Sequence, residues 1–67
     1  MTIEEAEQKA LEWKATHEDA NAEEECECYG AAERLRNEAR AIEKAIEAAG
    51  YNACDLIRTI ERRRRAL

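Results

Sequence analysis

Only nine of the 67 side chains are Leu or Ile, and Val and Phe are absent. A chain this short buries only about 60% of its unfolded surface even with a normal core. Large aliphatics at about 13%, combined with high charge, fall to a level that warns of disorder. Fourteen Ala and the absence of Pro act against that warning. Ala is the strongest helix former, and Glu, Lys and Arg follow closely, so helix is favoured locally even where packing is thin. The chain is therefore expected to be all-α. Because so little apolar surface is available, a second copy or another protein is expected to complete the core.

Helix boundaries follow from caps and from spacing. Thr2-Ile-Glu-Glu5 reads as a capping box. Behind it Ile3, Ala6, Ala10, Trp13 and His17 alternate at intervals of three and four, which predicts a helix over residues 3–17. Asn21-Ala-Glu-Glu24 reads as a second capping box and places Glu23, Glu24 and Glu25 in a first turn, where the helix dipole favours negative charge. Cys28, Ala32, Leu35, Ala39, Ile42, Ile46 and Ala49 keep the same spacing and predict a long helix over residues 21–49. A turn at Gly30 is the alternative. It would fuse the first two segments and leave Glu23, Glu24, Glu25 and Glu27 at a helix C-terminus, against the dipole. Gly50 fits a left-handed C′ residue, with Tyr51 and Ile46 as the apolar pair of a Schellman motif. Asn52 caps a third helix over residues 52–66, with Ala53, Leu56, Ile57, Ile60 and Leu67 on its apolar side.

Short connections make successive helices antiparallel neighbours, so the expected single domain is a short–long–short three-helix unit. Its first and last helices are expected to meet near Leu35. Pairing two units through a seam of Leu35, Ile42 and Ile46 would give a helical homodimer.

Charge is divided unevenly along the chain. Residues 1–33 hold eleven acidic and two basic side chains, and residues 34–67 hold five acidic and nine basic, for a total of −5. The Arg62–Arg65 run has a structural explanation, because cations suit a helix C-terminus and Glu4, Glu5 and Glu7 are expected nearby. Four consecutive helical residues point in different directions, and neither zinc-finger spacing nor an aromatic-rich sheet accompanies them, so direct nucleic-acid binding is not expected. The acidic run Glu18, Asp19, Glu23, Glu24, Glu25 and Glu27 has two readings. It is either a solvated face or a negative surface for a basic, nucleic-acid-handling protein.

No site for chemistry emerges. Cys26-Glu-Cys28 lacks the spacing and the further ligands of a zinc site, and residues two apart on a helix do not face one another. Cys28 is expected in the seam and Cys26 against the first helix. Three Cys cannot form a complete disulfide set, and reduced thiols are the simplest reading. His17 reads as a helix-end residue, with neither Ser nor a second His to make a nucleophile–base pair. No catalytic residue, metal or cofactor is expected. Trp13 and Tyr29 are expected close together, either as core or as aromatic anchors of a binding surface. There is neither a membrane-spanning run nor a signal peptide pattern, so a cytoplasmic protein is expected.

In its brevity, acidity and helix content the chain is similar in general character to the small inhibitors made by phages and mobile elements, anti-CRISPR proteins among them. That likeness implies a protein-binding regulator acting through the acidic residues. The alternative from a different class is a homodimeric structural adaptor whose role is assembly.

Overall fold

The computed structural model describes residues 1–66, and Leu67, expected on the third helix's apolar side, lies outside them. Thr2 caps α1, Ile3–Glu25, by accepting the Glu5 amide at 3.2 Å. Its own hydroxyl donates to the Glu5 carboxylate at 3.3 Å. The helix does not end at residue 17. The three-four spacing runs on from His17 to Ala20, which is fully buried, and Asn21 sits exposed inside α1 rather than capping a new helix. The capping box read in Asn21-Ala-Glu-Glu24 does not form, because burial of an apolar face outweighs the modest helix penalty of Asn.

α1 ends in a Schellman turn. Glu27 N–H donates to Glu24 C=O at 3.0 Å and Cys28 N–H to Glu23 C=O at 2.8 Å. These are the two bonds of that motif, with Glu27 at the left-handed position, φ 62°. α2 follows as Tyr29–Ala48, with Gly30 in its first turn. Its end repeats the motif with a residue suited to it. Gly50 has φ 89° and donates to Glu47 C=O at 2.9 Å, and Tyr51 donates to Ile46 C=O at 3.1 Å. Asn52 then caps α3, Ala53–Arg65, by accepting the Asp55 amide at 3.1 Å. All three described elements are helices, as expected. Their lengths of 23, 20 and 13 residues replace the short–long–short order.

The buried residues on α1 and α2 lie on a near-heptad repeat: Ala6, Ala10 and Ala20 on α1, and Ala32, Ala39 and Ile46 on α2. Alanine stripes let helix axes approach at the short end of the packing range. Ala6 and Ala10 share one apolar cluster with Ile46, Ala53 and Leu56, and Trp13, Ile42, Tyr51 and Ile57 pack around it. The start of α1 meets the end of α3, where Arg63 pairs with Glu7, but beside Ile46 rather than Leu35, because the turn falls later than expected. α1 is the element on which both others pack, and α2 and α3 touch each other least. The result is flat, 36 × 29 × 13 Å. Ile46 and Leu56 are the only large side chains among the described core residues. Each contributes about 1.5–3 kcal/mol by burial, so stability rests on few groups.

Candidate protein-interaction site

The lengthening of α1 moves the acidic run from the start of a helix to the end of one. Glu18, Asp19, Glu23, Glu24 and Glu25 occupy the last two turns of α1, and Glu27 sits in the turn that follows. A helix C-terminus carries about half a negative charge of its own. No basic residue stands in the last turn to offset it. The carboxylates and the dipole therefore add to one negative field, in the arrangement that sequence reasoning weighed against.

Some of these acids are engaged within the chain. Arg36, on α2, pairs with Glu24 across the turn. Glu18 lies 4.0 Å from Lys14, which sits closer, at 3.2 Å, to Glu61 on α3. Glu23 is half-buried, and its carboxylate acts on the Cys28 thiol across the turn. Asp19, Glu25 and Glu27 are exposed and have no ion-pair partner among the described residues. Glu18 and Glu25 lie two helical turns apart, about 10 Å along the axis.

The cysteines differ from expectation. Cys26 and Cys28 are exposed in the turn rather than packed in a seam, and Cys54 is exposed as well. Lost hydration around its sulfur, then the hydrogen bond and charge of Glu23, then Cys26, push the Cys28 thiol up. The same thiol lies 3.7 Å from the Cys26 carbonyl. Among the described residues, no group of three or more His, Cys, Asp or Glu is placed to hold a metal ion.

Trp13 and Tyr29 are apart. Trp13 lies on the middle of α1 against the apolar cluster, its ring edge-on to His17 with centroids 4.9 Å apart. Its Nε1 is enclosed without a hydrogen-bond partner. His17 is accordingly an interior helical residue, not a helix end. Tyr29 follows the turn that begins about 18 Å along α1's axis from Trp13, and is 63% exposed. Of the two aromatics only Tyr29 is largely exposed, and it follows the acidic turn in sequence.

The expected seam is also rearranged. Ile46 is fully buried within the chain and Ile42 packs against the core cluster. Leu35 instead lines an open groove with Ala31, Arg34 and Glu38. Of the C-terminal arginines, Arg63 pairs with Glu7, one of the three acids expected near it. No helix among the described residues is long and apolar enough to cross a membrane. Comparison with known protein families, curated proteins and solved structures finds no match.

Proposed function

We propose that the chain is a non-enzymatic protein-binding regulator or inhibitor that engages a basic protein through the C-terminal end of α1 and the following turn. The supporting observation is the placement of acidic residues against the local rule. A run of carboxylates at a helix C-terminus, with no cation in its last turn, costs stability through the dipole. Departures of this kind from local consistency concentrate at functional sites. A cationic partner surface would relieve both the carboxylate and the dipole terms, which gives the binding its driving force and its steering. Asp19, Glu25 and Glu27 supply charge not engaged in ion pairs among the described residues, Glu18 extends the patch, and Tyr29 supplies the aromatic anchor. A basic, nucleic-acid-handling protein in the cytoplasm of the producing or host cell is the partner class this surface fits.

Affinity capture compares the natural chain with a Glu18→Gln, Asp19→Asn, Glu25→Gln, Glu27→Gln variant. The expected result is one basic protein held by the natural chain, released by salt of about 0.3–0.5 M as screening shortens, and absent from the variant. The same proteins on both resins would overturn the reading.

A homodimeric adaptor is a second reading, favoured by surface area. A monomer of 7.7 kDa exposes about 4,300 Å², whereas this chain exposes 4974 Å². The surplus, about 650 Å² per chain, amounts to about 1,300 Å² over two copies, within the range of stable interfaces. Antiparallel packing of α1 and α2 within each copy is part of the same reading, supported by the pairing of Glu24 with Arg36 at one end and the shared cluster of Ala6 and Ile46 at the other.

A further inference from the structure

The homodimer reading leaves open which face covers the surplus area, and we infer that it is the flank of α2 centred on the Leu35 groove, with Arg34 of each copy pairing with Glu38 of the other. The inference rests on that reading. α2 buries the Ala32–Ala39–Ile46 stripe against the rest of the chain. The adjacent stripe, Ala31, Leu35 and Glu38, is turned away from the middle of that buried face by the helical repeat. α3 packs mainly on α1 and touches α2 only slightly. The groove is lined by Ala31, Arg34, Leu35 and Glu38, so an apolar centre is bordered by one positive and one negative side chain.

That border is self-complementary. A two-fold axis crossing α2 near Arg36 sets residue 34 of one copy opposite residue 38 of the other, twice. Arg34 and Glu38 are both exposed. Neither forms an ion pair within its own chain among the described residues. The two Leu35 side chains then lie on either side of the axis, about 3 Å apart along the helix direction. Ala31 faces the region of Ala41, where the two small side chains let the helices approach. An isologous contact of this kind is closed, so it stops at two copies. A different apolar partner would have no reason to match both signs of charge at this spacing.

The full-length chain is tested by sedimentation equilibrium, with helicity followed by circular dichroism. The natural chain is expected at twice its 7.7 kDa mass. Arg34→Glu puts four carboxylates across the axis and Glu38→Arg puts four guanidiniums there. Each variant is expected to keep its helicity and to self-associate about a hundredfold more weakly. An equimolar mixture of the two variants restores both pairs and is expected to dimerise like the natural chain. A monomeric natural chain would overturn the homodimer reading and this interface with it. A dimeric natural chain whose two variants also stay dimeric would leave the homodimer standing and overturn the interface. Variants that dissociate but do not recover on mixing would overturn the Arg34–Glu38 pairing.

Discussion

Lys14 and Glu61 meet at 3.2 Å across 47 positions of sequence, and with Arg63 on Glu7 they tie α3 across α1. The two pairs differ in exposure. The Glu7 side chain is 21% exposed, against 43% for Glu61. An exposed ion pair adds only about 0.2–1 kcal/mol, while a carboxylate held closer to the protein loses more when its charge is removed. Glu7→Gln is therefore expected to cost about 1 kcal/mol and Glu61→Gln about half that or less. Urea denaturation of the two variants decides the order, and a larger loss from Glu61→Gln would contradict it.

Ile46 is a point of vulnerability because the remaining core is small. It is the only large side chain among the described residues that is fully buried. Ile46→Ala is expected to cost about 2–5 kcal/mol and Ile46→Val about 0.5–1.5. A 67-residue chain has little more stability than the larger of these figures to lose. Thermal melts should show Ile46→Val folded and Ile46→Ala largely unfolded at 25 °C. A well-folded alanine variant would mean that the weight of the core lies elsewhere.

The parts of the fold that could be read from the sequence are those where a residue type matches a backbone requirement. Thr2, Gly50 and Asn52 each announce a helix end by chemistry that few other residues supply, and each sits where that chemistry predicts. The first turn could not be read in this way. It uses the Gly50 geometry with Glu27 in the left-handed seat, and glutamate gives no sign of that conformation. Asn21, a good cap by type, was passed over because Ala20 still had a surface to bury. The acidic run could be read as a charge pattern, but not by its helix end, which depends on the location of that turn. Ile46 had the right spacing for a seam, yet spacing alone does not tell an intramolecular contact from one between copies.

The left-handed glutamate has a measurable consequence. Non-glycine residues pay about 1–2 kcal/mol in that conformation, while glycine does not. Glu27→Gly is expected to raise stability by about 1 kcal/mol, net of glycine's extra freedom in the unfolded chain. Gly50→Ala, with φ 89° and open space around its Cβ position, is expected to lower it by about 1 kcal/mol through backbone strain alone. Opposite shifts in the urea midpoint check both, and a loss on Glu27→Gly would mean that its carboxylate contributes more than its backbone costs.

The raised Cys28 thiol gives a pH dependence of defined sign. Lost hydration, followed by Glu23 and Cys26, holds the proton on sulfur in the folded state. The folded pKa thus lies above the unfolded one. The associated stability is fully present below the unfolded pKa and is lost as pH rises through the folded value, above the ordinary 9.0. Iodoacetamide labelling, resolved at each cysteine by mass spectrometry over a pH series, should give Cys28 a higher midpoint in buffer than in urea. Equal midpoints would remove the claim.

Glu25 joins the stability of the fold to the proposed function with opposite signs. It stands in the last turn of α1, exposed and facing the negative end of the dipole. Glu25→Lys replaces an unfavourable charge with a favourable one and should stabilise the isolated chain by about 0.3–1 kcal/mol. The same substitution puts a cation in the centre of a surface proposed to receive cations, so partner affinity should fall by about tenfold or more. A merely solvated acidic face predicts the first effect without the second. Thermal stability and partner capture measured on this one variant therefore separate the two meanings of the acidic run. A gain in stability with capture unchanged would leave the carboxylates as a solubilising surface, and a gain with capture lost would mark them as the binding site.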